Sequence, residues 1–230
     1  MLIFNLQQGI QMDFLSDEHR QTVGLLNNVI IQSGNLMEGN LYYAHHQNLA
    51  LSQTVIPQFA KKRAQIAALA RVKSRVLEIG FNAGHSAALM LHANPTLTYF
   101  GIDICQHAYT EPCMHVMSAR FPGRVSFFAG DSGLAYPYEF ERYRACDLIH
   151  IDGGHSQEMF RIDMTHALTL PRDESVDRHI LIDDTEDPDN PAISPELNRW
   201  IQEGWVEVVD LGGIMQTHGN HLLVRQLRRN

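Results

Sequence analysis

Apolar residues recur along this chain with two different spacings, and the change between them falls near residue 70. In the first part they follow a helical spacing, as in Val23, Leu26 and Ile30, which is typical of one face of an amphipathic helix. In the second part, short apolar runs alternate with helical stretches, which is typical of strands joined by crossover helices. The pattern therefore predicts an N-terminal helical cap, residues 1–70, and an α/β core, residues 71–230.

Three helices are predicted for the N-terminal cap. Ser16 can cap the first helix, because its hydroxyl suits the N-cap position and Asp17 follows in the first turn. A second helix is expected over residues 40–51. Pro57, which is favoured at the start of a helix, opens a third one over residues 58–70.

Seven apolar runs in the core favour strands. They cover residues 75–79, 98–103, 124–129, 146–152, 179–182, 205–211 and 221–225. The first five runs are separated by helical stretches and predict a parallel, Rossmann-like sheet. The last two are joined by a short loop and predict a pair of closing strands.

The first of these strands ends in a turn with two glycines, Glu78-x-Gly80-x-x-x-Gly84. Gly80 allows a sharp turn, and Gly84 allows a ligand or a neighbouring strand to approach the backbone closely. The helix that follows offers free N–H groups to the ligand. The spacing differs from the G-x-G-x-x-G of nicotinamide cofactor sites, and a carboxylate at Glu78 suits a ligand that carries an amine or a sulfonium.

At this turn the chain resembles the class I S-adenosylmethionine-dependent methyltransferases. The resemblance implies a doubly wound, mostly parallel seven-stranded sheet with a C-terminal antiparallel hairpin, and S-adenosylmethionine as cofactor. Asp103, at the end of the second strand, is expected to bind the ribose hydroxyls, and Asp131 matches the position that faces the adenine amino group. The expected cofactor-binding residues are Glu78, Gly80, Phe81, Asn82, Gly84, His85, Ser86, Asp103, Ile104, Asp131, Ser132 and Asp152.

Acidic residues also follow the fourth and fifth strands. If these strands are parallel neighbours, Asp152 and the pair Asp183 and Asp184 arrive side by side. Three carboxylates repel one another unless protons or a cation intervene. Oxygen ligands of this kind suit Mg²⁺, Mn²⁺ or Ca²⁺.

The motif Asp-Gly-Gly-His-Ser-x-Glu at residues 152–158, followed by Ile-Asp-Asp, resembles the metal-dependent O-methyltransferases of the macrocin and cephalosporin-tailoring type. The resemblance implies that Asp152, Asp183 and Asp184 bind the metal and that His155 acts as general base. Asp152 and His155 are thus the predicted catalytic residues, and the acceptor is a small molecule with a hydroxyl group. The sequence leaves open whether Asp183 reaches the metal directly, reaches it through water or faces the sheet.

In the methyltransferases that this chain resembles, such a cap lies over the cofactor pocket and helps to select the substrate. Tyr42, Tyr43, His45 and His46 are the candidates for pocket contacts. The alternative is an aromatic pair packed on the sheet with surface histidines. The turn-rich segment 187–195 is expected to form a mobile lip over the site.

Composition excludes several other classes of partner. The chain has 18 Lys and Arg against 26 Asp and Glu, a net charge of -8, which argues against nucleic acid. No apolar run is long enough to cross a membrane. The three cysteines show no Cys-x-x-Cys spacing, so a reducing, cytoplasmic location is expected. A homodimer formed through the N-terminal helices is a further expectation.

Two other functions fit the sequence less well. One is an NAD- or nucleotide-dependent oxidoreductase on a Rossmann-like sheet, and the other is a non-catalytic module that binds a cofactor and regulates a partner. The missing third glycine weighs against the oxidoreductase. Binding of S-adenosylhomocysteine rather than NADH separates the first hypothesis from the second.

Overall fold

The computed structural model describes residues 14–38, 40–171, 176–186, 191–215 and 220–227. Seven strands form one sheet in the order β3-β2-β1-β4-β5-β7-β6. The strands are β1 (Arg75–Ile79), β2 (Thr98–Asp103), β3 (Val125–Ala129), β4 (Leu148–Ile151), β5 (His179–Asp183), β6 (Val206–Val208) and β7 (His221–Gln226). The first five strands are parallel, and β7 runs antiparallel to both β5 and β6. The predicted fold class, including the closing hairpin, is confirmed.

Helices cover both faces of the sheet, as a doubly wound fold requires. They are α1 (Asp17–Ser33), α2 (Ala60–Arg71), α3 (His85–Ala93), α4 (Thr110–Arg120), α5 (Ser132–Tyr143), α6 (Gln157–Thr169) and α7 (Ile193–Gln202). Helices α1 to α4 share one hydrophobic core with one face of the sheet, and α5 to α7 share a second core with the other face. Neighbouring strand residues such as Val76 and Leu77 therefore contribute to opposite cores.

The register of β4 and β5 decides where the acidic residues emerge. Ile151 on β4 lies opposite Ile182 on β5 in a parallel pair. Asp152 and Asp183 follow these two residues, so both arrive at the carboxyl edge of the sheet. The prediction that the two strands are parallel neighbours is confirmed.

The predicted helix over residues 40–51 is wrong. The side chain of Asn40 accepts hydrogen bonds from the backbone N–H groups of Tyr42 at 2.6 Å and Tyr43 at 3.0 Å. Such local bonds compete with helix formation. Arg63 on α2 also donates to the carbonyl oxygen of Leu41 at 2.7 Å, which fixes this segment as an irregular loop.

The sequence gives no bounds for a helix between the third and fourth strands, where the structure has α5. The helix carries Pro137 in its interior and a non-helical backbone at Glu139. Because proline and a kink interrupt the periodic pattern, no strong sequence signal marks this helix. Outside these two segments, the predicted elements and the observed ones overlap.

The N-terminal segment packs on the core through a buried aromatic and polar cluster. Tyr42 and Tyr43 are buried, and Asn27 on α1 bonds to the Tyr43 hydroxyl at 2.8 Å and to the His85 ring at 3.0 Å. His85 is the first residue of α3, so α1 holds the start of the helix that follows the glycine turn. A cap with its own function at residues 1–70 stays a prediction.

The predicted lip at residues 187–195 can be followed only in part, because residues 187–190 lie outside the described residues. Of the helices in the described ranges, none combines the length and hydropathy needed to cross a membrane.

His19, at the centre of the N-terminal cluster, is held neutral. Its Nδ1 accepts the backbone N–H of Leu15 at 3.1 Å, and its Nε2 lies 3.0 Å from the Tyr42 hydroxyl. Burial, with the nearby His92 and His85, lowers the pKa of His19 to about 3. An unfolded histidine titrates near pH ~6.5, so the unfolded chain takes up the proton first as the pH falls. The stability that depends on neutral His19 is therefore present above that pH and is lost toward pH 3.

We predict that His19→Gln makes the protein less sensitive to acid. Between pH 7 and pH 5 the wild type should lose ~2 kcal/mol of unfolding free energy through His19, and the variant should not. Urea denaturation at the two pH values measures the difference. His115→Gln, which changes an exposed histidine on α4, is the control and should behave as the wild type does. An equal loss in the wild type and His19→Gln would contradict the prediction.

Candidate active site

A cavity of about 600 Å³ opens at the carboxyl edge of the sheet. This volume is ordinary for a small-molecule site. All of the predicted cofactor-binding residues except Glu78 line it. The cavity also reaches the acidic ends of β4 and β5, since Asp152, His155, Asp183 and Asp184 are in its wall. The structure thus brings the two predicted groups of residues to one cavity.

The glycine turn requires its two glycines for steric reasons. Gly80 has a φ of +94°, and a Cβ atom there would lie 2.0 Å from the carbonyl oxygen of Asp152. Gly84 has a φ of +80°, and a Cβ there would lie 2.5 Å from the Phe81 ring. L-residues with side chains rarely adopt such angles. The turn is therefore closely packed against the end of β4, and the N terminus of α3 faces the cavity.

Asp103 is fixed at the end of β2 by two backbone donors. Its Oδ2 accepts the N–H of Asn82 at 2.7 Å, and its Oδ1 accepts the N–H of Cys105 at 2.7 Å. Burial raises the pKa of Asp103, although the two backbone bonds oppose this. Each carboxylate oxygen can accept a further bond, so this side chain can receive a diol from the cavity.

Sequence reasoning missed Asp163, which also lines the cavity. The Ser132 hydroxyl donates to its Oδ1 at 2.6 Å, and burial raises the pKa of Asp163 to about 6. The signal in the sequence is a carboxylate on α6 at helical spacing from the core residues Phe160 and Ala167. Nearby, Asp131 accepts the backbone N–H of Gly133 at 2.7 Å.

Glu78 corrects the sequence interpretation, because its side chain lies below the cavity and is fully buried. Its carboxylate accepts hydrogen bonds from the hydroxyl groups of Ser86 and Tyr99, the former at 2.5 Å. His150 Nδ1 lies 2.7 Å from the same carboxylate. Residue 78 precedes Ile79, still within the strand, and therefore faces neighbouring elements rather than the ligand. Glu78 supports the turn but does not form the wall.

Three side chains converge at the carboxyl ends of β4 and β5, which we call the acidic edge. Ligand atoms of Asp152, His155 and Asp184 all lie within 4.8 Å of one another. His155 Nε2 is 3.1 Å from Asp184 Oδ2, and Asn220 donates to Asp184 Oδ1 at 3.1 Å. Asp184 adopts a φ of +53°, which turns its side chain toward this group. Two carboxylates and an imidazole are ligands that fit a divalent cation such as Mg²⁺ or Mn²⁺.

Asp183 is not part of this group. Its Oδ1 lies 2.5 Å from Lys62 Nζ on α2, and its Oδ2 lies 3.7 Å from His150 Nε2. Of the three arrangements that the sequence leaves open, the contacts with Lys62 and His150 favour the one in which Asp183 faces the sheet. The side chains that group at this edge are therefore Asp152, His155 and Asp184, rather than the three predicted aspartates.

Nearby charges outweigh the effect of burial on the pKa of Asp183 and His150, whereas burial and the charge of Asp183 act together on the pKa of Asp152. Burial favours a neutral Asp183, but Lys62 and His150 outweigh it and lower the pKa of that carboxyl. Burial and the charge of Asp183 raise the pKa of Asp152 well above its usual value. Burial alone would lower the pKa of His150, yet Asp183 and Glu78 raise it to about 10. Asp183 is thus compensated, whereas Asp152 faces other carboxylates.

The four predicted pocket contacts of the N-terminal segment separate into two groups. Tyr42 and Tyr43 are buried in the hydrophobic core, which matches the alternative of a packed aromatic pair. His45 and His46 are exposed, and of the four residues only His45 lines the cavity.

A comparison with family models identifies the class of protein. A model described as a methyltransferase domain matches residues 77–185, the stretch from β1 through the acidic end of β5. The chain contains a class I S-adenosylmethionine-dependent methyltransferase domain. The glycine turn and Asp103 of this methyltransferase lie within the matched region, and α1 and α2 lie outside it. No curated protein matches the chain by sequence.

Solved structures share the fold at low sequence identity. The O-methyltransferase TomG from Streptomyces achromogenes, in complex with SAM, is 16% identical over 93% of this chain and 91% of its own, with a TM-score of 0.58. The O-methyltransferase from Bacillus cereus, in complex with SAH, is 15% identical over 94% and 93%, with a TM-score of 0.57. MycE from the mycinamycin biosynthetic pathway, in complex with Mg and SAH, is 16% identical over 89% and 55%, with a TM-score of 0.50. At these identities the likeness establishes the fold alone.

We predict opposite effects for alanine at two glycines. Gly80→Ala should destabilise the methyltransferase by at least ~2 kcal/mol, because the new Cβ meets the Asp152 carbonyl. Gly24→Ala, in the interior of α1 with no atom within 4 Å of the new Cβ, should stabilise it by about 1 kcal/mol. Chemical denaturation measures both changes. Equal stability of Gly80→Ala and the wild type would show that the turn is not closely packed.

Proposed function

We propose that this methyltransferase transfers a methyl group from S-adenosylmethionine to a hydroxyl group of a small molecule, assisted by a divalent cation. The observation that carries the proposal is the convergence of Asp152, His155 and Asp184 within 4.8 Å, in the wall of the cavity that contains the glycine turn. The two O-methyltransferases of similar fold, TomG and the Bacillus cereus protein, support an oxygen acceptor.

The cofactor is proposed to bind along the ends of β1, β2 and β3. The N terminus of α3 and the closely packed turn at Gly80 offer backbone groups, and Asp103 offers two carboxylate oxygens for the ribose diol. Asp131 and Ser132, at the end of β3, line the part of the cavity where the adenine of the cofactor would be recognised. Ile104, which is exposed in the same wall, supplies apolar surface.

The acceptor is proposed to bind between the acidic edge and the N-terminal segment. Leu41, His45 and Phe59 line the cavity from that segment. Their mixture of apolar and polar groups suits a small organic molecule. This arrangement supports the proposal that residues 1–70 help to select the acceptor.

Methyl transfer is an in-line displacement, so the protein has to align the acceptor oxygen and remove its proton. A divalent cation, when bound by Asp152 and Asp184, lowers the pKa of a neighbouring hydroxyl. His155 lies beside Asp184, is partly exposed to the cavity and has an imidazole suited to accepting a proton. We therefore assign His155 the role of general base.

We predict that Asp103→Asn weakens binding of S-adenosylhomocysteine at least ~10-fold, since it removes a charged acceptor from the diol. Isothermal titration calorimetry measures the dissociation constant. Glu111→Gln makes the same chemical change at an exposed position of α4 and should leave the affinity unchanged. Equal affinity of Asp103→Asn and the wild type would remove Asp103 from the cofactor site.

A second prediction tests the reaction. Wild-type protein with S-adenosylmethionine, Mg²⁺ and a panel of phenols and sugar alcohols should release S-adenosylhomocysteine with at least one acceptor, and chelation of the cation should abolish turnover. With that acceptor, His155→Gln should lower kcat by at least ~100-fold, because the general base is lost.

Metal binding separates the two roles that His155 could have. If His155 is the base, Mn²⁺ affinity of His155→Gln should stay near the wild-type value. A large loss of Mn²⁺ affinity would make His155 a ligand instead. Methylation only of amines in a matched panel would overturn the proposed acceptor class.

A further inference from the structure

Lys62 is a buried cation that the family match does not include. It lies on α2, whereas the match begins at residue 77. Its side chain is only 9% exposed and lines the cavity. The ammonium group lies 2.5 Å from Asp183 Oδ1 and 3.7 Å from Asp184 Oδ1. A helix from the N-terminal segment thus supplies a positive charge to the acidic edge.

Two carboxylates compensate the charged form of this lysine. A buried lysine costs free energy unless a carboxylate compensates it. Burial would lower the pKa of Lys62, but Asp183, Asp152 and Asp184 outweigh burial and raise it. Lys62 therefore provides a cation at a fixed place, held by Asp183 and Asp184.

The position of Lys62 determines which carboxylates remain for an ion. Asp183 is enclosed between Lys62 and His150, and its two oxygens face these two groups. Asp152 and Asp184 instead group with His155. The adjacent residues Asp183 and Asp184 therefore have different partners.

We propose that Lys62 keeps Asp183 out of the ligand set and reduces the affinity of the site for a divalent cation, because its ammonium group is a positive charge at the acidic edge. The inference rests on the proposed function, because it assumes that Asp152 and Asp184 bind such a cation. It makes α2 a determinant of metal affinity. A purely structural pairing of α2 with β5 would make no difference to metal affinity beyond its effect on folding.

The test is Mn²⁺ binding to Lys62→Met, measured by electron paramagnetic resonance. Methionine keeps the length and the apolar packing of the side chain but removes the charge. The affinity for Mn²⁺ should rise at least ~10-fold, because a positive charge beside the ion is lost and Asp183 is released. Lys61→Met is the matched control. It makes the same change at the neighbouring, exposed lysine of the same helix and should leave the affinity unchanged.

Asp183→Asn tests the ligand set from the other side of the ion pair, because it removes the carboxylate that Lys62 contacts and keeps the lysine. In the wild-type background, it should change Mn²⁺ affinity less than ~3-fold, since Asp183 is not a ligand there. In the Lys62→Met background, it should cancel most of the gain, since Asp183 is then available to the ion. This non-additivity is what a double-mutant cycle measures. The single variant also tests the inference if Lys62→Met does not fold.

The outcomes distinguish the inference from the proposed function. Folded Lys62→Met that binds Mn²⁺ no more tightly than the wild type would overturn the role of Lys62, as would a large loss of affinity in Asp183→Asn alone. If neither the wild type nor Lys62→Met binds Mn²⁺ while both bind S-adenosylhomocysteine, the cation part of the proposed function fails, and the inference fails with it.

Discussion

The structure depends on a carboxylate that is buried in the middle of its sheet. Glu78 is fully buried on β1, and a buried charge is tolerated only when donors or opposite charges compensate it. The compensating groups come from three different elements: Ser86 from α3, Tyr99 from β2 and His150 from β4. These bonds fix the turn after β1 relative to its neighbouring strands. Polar contacts therefore support the part of the cavity that the glycine turn forms, in addition to hydrophobic packing.

The same contacts continue to the acidic edge as a series of alternating charges. His150 lies between Glu78 and Asp183, and Asp183 lies between His150 and Lys62. Acidic and basic side chains alternate along the series, and the interior screens the interactions between charged groups weakly. The series connects the floor of the glycine turn with helix α2.

The sequence predicts most of the sheet, because buried parallel strands are marked by continuous apolar runs and their acidic ends by composition. It does not predict which way a given acid faces. Asp183 and Asp184 are adjacent, and the distinction between them depends on the left-handed backbone at Asp184 and on Lys62, which is distant in the chain. Glu78, an expected cofactor-binding residue, does not line the cavity for a related reason: a position one residue before the end of a strand is still inside the sheet. The irregular segment at residues 40–51 depends on side-chain bonds from Asn40, which compete with its helical composition.

Backbone conformation separates the fixed part of the site from the adaptable part. Left-handed residues occur at the ends of four strands that line the cavity, with Gly80 after β1, Cys105 after β2, Gly130 after β3 and Asp184 after β5. A non-glycine residue in this region costs free energy and persists only where its surroundings hold it. The parallel sheet supplies that support, so the cofactor wall and the acidic edge are preorganised. The N-terminal segment contributes irregular loop residues and Lys62 to the same cavity, which is why we propose that it helps to select the acceptor.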